Sequence, residues 1–564
     1  MAGRLPTPGK AYTRGPLLLQ FTVEGGAADA VEILKGSSVL VKPTGSPYSF
    51  TWDTTQEAEG SYELSIRATR GGVLFASAPR TVIVDRTAPT VTTYLPASNA
   101  ATVGVHDAIQ VTFSEPMNPH SVTEAAVGLK TGAGIAISKS VALSVDGKTL
   151  TVTPRNPLVA PDTVSVDLAA LVGTLTDLAG NGVPTAPAWT FTVPTWLPLG
   201  GAISAVEGKT SAEDVVLKMD RNDQPVIAWT ESDGVAKNIY VARWTGTEWL
   251  MLGGGLSGLS GAGTDATRPT LLIDATSRPI VAWQEKSSTG DAQHIFARQW
   301  SGNEWEALPS IPLETGDYAI SAPSMASESN GTLHLYALNS NEGTAEIGHY
   351  QLASGSQSWA RNALPRPQQS PRVYSFSTSS LGTKTVVAYN FLDLSGTGNG
   401  RIGIEVAEND SAPSGNSLLG TAAATPSIAL DSNNRPWITW SEAPSGSGAG
   451  GSIYWSRWEG TYWTSPRQLD TPATGNTNPV LSMTKGNPYT ITWSGILDAR
   501  RSIFVGRWIS GTWQIIPQQL NALPETSAPA SGPAASMTTA GRPIVAWTEE
   551  DTTSASIYVS HLNN

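Results

Sequence analysis

Pro225-Val226-Ile227-Ala228-Trp229 and Pro279-Ile280-Val281-Ala282-Trp283 are two appearances of one phrase. It returns as Pro436-Trp437-Ile438-Thr439-Trp440, Pro488-Tyr489-Thr490-Ile491-Thr492-Trp493 and Pro543-Ile544-Val545-Ala546-Trp547. Two degenerate copies end at Tyr336 and Tyr389, which spaces the closing aromatics at 54, 53, 53, 51, 53 and 54 residues. A near-constant period over seven copies is the mark of a repeat architecture. The copies alternate apolar and polar residues with period two and show no 3.6-residue stripe, so helical solenoids are excluded. In the second copy the strand-like pieces are 269–274, 279–283, 294–298 and a piece near Trp305. Four antiparallel strands per copy make one propeller blade, and seven blades make a ring.

Most copies end in Trp-x-Gly-x-x-Trp or a near relative: Trp244 to Trp249, Trp300 to Trp305, Trp458 to Trp463, Trp508 to Trp513. The seventh stops at Ile557-Tyr558-Val559-Ser560-His561-Leu562 without a fourth strand. The missing piece stands at the front, where Trp196-Leu197-Pro198-Leu199-Gly200-Gly201 matches Trp249-Leu250-Met251-Leu252-Gly253-Gly254. The propeller is therefore expected to close through its N-terminal strand, which removes both free sheet edges.

Upstream of residue 195 the pattern changes to short strands between Gly and Pro. Leu19–Val23, Ala30–Leu34, Ser38–Val41, Tyr48–Trp52, Tyr62–Ile66 and Thr81–Val84 read as a β-sandwich over 16–88, after a tail or linker at 1–15. A second sandwich covers 89–194. Its Ile109-Gln110-Val111-Thr112-Phe113-Ser114-Glu115-Pro116-Met117, Leu178-Ala179-Gly180-Asn181 and closing Trp189-Thr190-Phe191-Thr192-Val193 resemble the bacterial Ig-like module of surface-layer and other exported proteins. The resemblance implies a spacer or stalk, with Glu115 a structural turn residue. The expected architecture is all-β: two Ig-like β-sandwiches followed by a seven-bladed β-propeller over 195–564.

Composition agrees. Gly 55 and Pro 39 in 564 residues, with 15% charged, suit a turn-rich β protein rather than a helical bundle. A net charge of −12 offers no basic surface for a phosphate backbone, so nucleic acid is excluded as a partner. Cys 0 removes disulfides, thiolate metal sites and cysteine nucleophiles. No apolar run reaches the length of a membrane span, and the opening Met1-Ala2-Gly3-Arg4 lacks the apolar core of a signal peptide.

Seventeen of the 19 Trp lie from Trp196 onward. Their recurrence at Trp229, Trp283, Trp440, Trp493 and Trp547 favours packing between blades over sugar stacking. Trp437 and Trp455 differ, because they replace the valines of the first copy; strand parity pairs them, as a buried pair or a ligand platform. An acid follows the phrase at Glu231, Glu285, Glu442 and Glu549. These carboxylates either ring a ligand site or pair at the blade edge with Arg243, Arg298, Arg457 and Arg507. The second reading is preferred, and with it a small cost for removing Glu285. Turns such as 274–279 and 431–436 read as Asx chemistry rather than calcium loops.

The six His are scattered, with no metal-ligand spacing. Neither a nucleophile elbow nor a phosphate loop occurs, and no copy carries the Ser-x-Asp-x-Gly-x-x-Trp box of sialidase-type propellers. No catalytic residue, metal or cofactor is assigned. The propeller resembles repeat lectins and other Trp-rich bacterial surface propellers. That resemblance implies a non-enzymatic, extracellular or cell-surface binding or adhesion protein, with a surface glycan or protein as partner. An architectural surface component and a glycan-active enzyme are the alternatives. The ligand-site candidates are Glu231, Glu285, Glu442, Glu549, Trp437 and Trp455.

Overall fold

Alternating apolar residues and Gly/Pro punctuation give strands almost everywhere. In the computed structural model the only helical turns among the described residues are short 3-10 segments such as Thr54–Gln56 and Pro119–Ser121. The structure describes residues 10–208, 211–232, 234–259, 264–286, 293–312, 318–319, 323–341, 344–363, 373–381, 384–393, 401–408, 423–442, 451–484, 489–523, 528–550 and 553–564. Pro488 of the sixth copy and residues 1–9 of the expected tail lie outside them. The chain divides into Met1–Thr195 with Asn563–Asn564, and Trp196–Leu562.

In the first unit, one sheet runs Lys10–Thr13, Arg80–Val84, Gly60–Arg70, Ala30–Lys35, Ser38–Val41, with Val73–Ala76 on the long strand. Leu17–Phe21 and Tyr48–Trp52 form the facing pair. Residues 10–13 are thus not tail: they pair in parallel with Thr81–Val84 through an alternating Lys-Ala-Tyr-Thr segment too short to signal a strand. Trp52, Leu64 and Val82 fill one end of the core. The Tyr62 hydroxyl donates to the Ala58 carbonyl while its ring edges onto Trp52, a packing role.

The second module sets Lys139–Leu143, Thr149–Pro154, Ile109–Phe113 and Val91–Leu95 against Gly128–Lys130, Asp162–Asp167 and Ala188–Val193. Its inward residues Val111, Leu150, Val152, Val164 and Phe191 are fully buried, the alternation expected of a two-sheet sandwich.

The second unit repeats one antiparallel meander. The first copy is Ser211–Met219, Pro225–Ser232, Lys237–Trp244 and Trp249–Met251; the second is Asp265–Ile273, Pro279–Lys286, Gln293–Trp300 and Trp305–Ala307. Copies of three or more strands continue to Ala530–Met537, Pro543–Glu550 and Ala555–Leu562. Trp196–Pro198 pairs antiparallel with that last strand, Trp196 opposite Leu562 and Pro198 opposite Ser560. The first strand of each copy packs against the first strand of the next, and Ala530–Met537 packs against Ser211–Met219. These are propeller-type sheets.

Trp229, Trp283, Trp440, Trp493 and Trp547 are buried. Each meets an aromatic on the neighbouring strand, Tyr240, Phe296, Tyr454, Phe504 or Tyr558, with ring centroids 5.7 to 6.0 Å apart. The outer Trp pairs link one copy to the one before it: Trp249 Nε1 donates to the Leu199 carbonyl and Trp305 Nε1 to that of Leu252. Gly253 must be glycine here, because its φ is +78° and a Cβ would lie 3.2 Å from Trp305 Cδ1.

Candidate functional site

Residues i and i+2 of a strand share a face. That rule puts each repeated Glu beside the repeated Trp of its own strand. Glu285, fully buried, accepts from Trp283 Nε1 at 2.9 Å, Gly258 N at 2.6 Å, Leu259 N at 2.9 Å and Ser257 Oγ at 2.6 Å. Glu231 does the same with Trp229 Nε1 at 2.7 Å, Ala205 N at 2.8 Å, Val206 N at 3.4 Å and the Ser204 hydroxyl. Glu549 accepts from Trp547 Nε1 at 2.9 Å, Ala522 N at 2.7 Å and Leu523 N at 3.1 Å, and pairs with Arg500 at 2.8 Å. Glu442 accepts from Trp440 Nε1 at 2.8 Å. A buried carboxylate persists only when its lone pairs are filled by donors. Glu231, Glu285 and Glu549 are filled by the segment that enters their own copy.

The repeated arginines do not meet these acids. Arg243 donates to the Ser277 carbonyl, Arg298 to that of Ser257, and Arg507 to that of Gly541, while Arg457 pairs with Glu459 at 2.6 Å. The blade-edge ion pair expected from the sequence is replaced by a buried carboxylate clamp and a separate arginine-to-carbonyl link. The ligand-ring alternative finds Glu231, Glu285 and Glu549 shut inside the sheet packing.

The sixth copy shows the same demand met by another residue. Trp493 Nε1 donates to Asn476 Oδ1 at 3.0 Å, and Gly495 occupies the position of the acid. A Cβ on Gly495 would stand 2.5 Å from that amide oxygen. Trp437 and Trp455 do pair, stacked at 5.7 Å and 11°. Trp508 edges onto both at 5.2 Å, and the guanidinium of Arg457 covers Trp437 at 5.2 Å. Both indoles are buried, so their faces are occupied by the protein itself.

Two groupings were not read from the sequence. His334 Nδ1 lies 2.9 Å from His349 Nε2, and His334 Nε2 lies 3.1 Å from Glu328. The histidines are fifteen residues apart but sit on paired strands, which linear spacing does not reveal. In the first unit the carboxylates of Asp85, Glu115 and Asp177 offer ligand atoms within 4.8 Å of one another, the one such group among the described residues. Burial, then the charges of Asp85 and Asp177, push Glu115 up to about 7. Asp177 is held by Gly180 N, Asn181 N and the Asn181 amide. The geometry suits a divalent cation or a shared proton. Asp274, by contrast, closes its own turn by accepting from Thr276 N and Arg278 N.

No curated protein matches the chain in sequence. Among solved structures, a protein of unknown function from Dyadobacter fermentans is 10% identical, with a TM-score of 0.40, covering 66% of this chain and 99% of its own. The α-L-arabinanase of Penicillium chrysogenum is 14% identical, TM-score 0.37, over 52% of this chain and 92% of its own. The β-propeller domain of the Trilobed protease of Pyrococcus furiosus is 11% identical, TM-score 0.40, over 63% and 96%. Among the described residues no helix is long and apolar enough to cross a membrane, which says nothing of β-barrels. Residues 85–193 match the family model of the bacterial Ig-like domain, and residues 5–66 match that of the bacterial Ig domain, so the first module begins ahead of the boundary expected at residue 16.

Proposed function

We propose that the chain is a non-enzymatic bacterial surface or secreted binding protein, in which a seven-bladed propeller closed by Trp196–Pro198 is the head and the Ig-like pair the stalk. The observation that carries this reading is the internal use of the repeated polar residues. Glu231, Glu285 and Glu549 bind the blade's own backbone and indole, and Trp437 and Trp455 bind each other. A scaffold held by its repeats leaves the connecting loops free to vary, which suits recognition of a surface glycan or protein. The bacterial Ig-like domains support export or surface display.

The test is a glycan array probed with the full chain and with residues 195–564. Retention of one glycan class by both, with solution affinities within about threefold, is the expected result. Cleavage of a retained glycan would replace this reading with an enzyme. Binding lost on removal of residues 1–194 would place the site outside the propeller.

A further inference from the structure

The first strands of the copies form a circuit, each against the next and the last against the first, so they border its axis. On Ser211–Met219, Lys218 stands opposite Val226, in phase with Val216 and out of phase with the buried Val215 and Leu217. At the same register in the other copies stand Leu272, Ala326, Ser379, Ala429, Ser482 and Ser536. Ser482 and Ser536 belong to the two strands that precede Lys218 in the circuit. An ammonium and two hydroxyls therefore follow one another on three successive strands, while Leu272, Ala326 and Ala429 are apolar and the hydroxyl of Ser379, on the fourth copy, accepts from Leu430 N at 3.3 Å.

None of these three side chains has a hydrogen-bond or ion-pair partner within the described protein. The Lys218 side chain is exposed, yet enclosure among protein atoms pushes its ammonium below the ordinary lysine range, and no charged neighbour contributes. A side chain that is open to solvent yet enclosed by protein atoms, on a strand of the inner circuit, faces the space about the axis. The acid ahead of it on the strand, Asp214, is four residues away, roughly 13 Å at strand rise. Its carboxylate is engaged by the backbone N–H and the charge of Arg268. At such a distance screening leaves little interaction with Lys218.

A desolvated cation without a counter-charge is unfavourable, and an entering carboxylate relieves it through charge-assisted hydrogen bonds. We propose that Lys218, Ser482 and Ser536 form a carboxylate-binding site on the axis of the propeller, for a small organic acid or the acid group of a uronic sugar. This goes beyond the surface-binding reading and rests only on the circuit of first strands.

The test is calorimetric titration of the full chain with acetate, D-glucuronate and D-glucose. Acetate and glucuronate are expected to bind saturably and glucose not at all. Lys218→Met should weaken binding at least about tenfold and Lys218→Arg should keep it within about threefold, with the Ser482→Ala/Ser536→Ala double variant in between. Glucuronate binding about tenfold tighter than acetate would assign the site to uronic sugars; comparable affinities would assign it to small acids. Should Lys218→Met not fold, protection of Lys218 from trinitrobenzenesulfonate by acetate in the unaltered protein, read by mass spectrometry, decides the same point. Equal binding by the parent and Lys218→Met, or neither binding nor protection, overturns the proposal.

Discussion

Trp283 donates its indole N–H to Glu285 at 2.9 Å on one strand face, and the same carboxylate receives the N–H groups of Gly258 and Leu259. An aromatic core residue and a buried charge are thus one unit. Removing the indole leaves a cavity, and removing the carboxylate takes the acceptor from the buried Trp283 N–H and from the backbone N–H groups of Gly258 and Leu259. Each of Trp283→Ala and Glu285→Ala is expected to cost about 3–5 kcal/mol in denaturant unfolding. The sequence alone suggested a small cost for Glu285; a Glu285→Ala protein as stable as its parent would return the residue to the surface.

The sixth copy makes a separate forecast. Gly495→Ala drives a methyl group to 2.5 Å from Asn476 Oδ1 and should destabilise by about 1–3 kcal/mol. Pairing Gly495→Glu with Asn476→Gly rebuilds the Trp-Glu arrangement of the other copies, and should be more stable than Gly495→Glu alone. No difference between those two proteins in thermal melts would mean that the indole does not depend on this acceptor.

In the first unit, Glu115 is raised from 4.5 to about 7 when folded. Between those values the folded chain holds a proton that the unfolded chain has released, so stability falls as pH rises through the window. Glu115→Gln should flatten this decline and melt higher than the parent at about pH 8. An unchanged pH profile of melting would show that the three carboxylates do not share the strain.

Strand positions were largely legible because alternation and Gly/Pro punctuation act locally: Ser38–Val41 and Tyr48–Trp52 fall where the residues place them. The buried Trp followed from the period. The fate of the acids did not, since the loop donors of Glu285 stand 26 to 28 residues earlier, and two of the three are backbone N–H groups that no side chain signals. The inner strands hid another feature. At the bulges Asp214, Arg268, Thr425 and Asn478 take positive φ values between 48° and 55°, a backbone state that side-chain patterning does not encode.

The most direct test of the account is the closing strand. Trp196 pairs with Leu562, donates to the Gln518 carbonyl at 3.2 Å and is buried; the same segment supplies the Leu199 carbonyl that Trp249 uses. Thermal melting of a chain beginning at residue 195 should be compared with that of a chain beginning at residue 205. The account predicts that the shorter chain melts far lower or fails to fold; equal melting temperatures would contradict it.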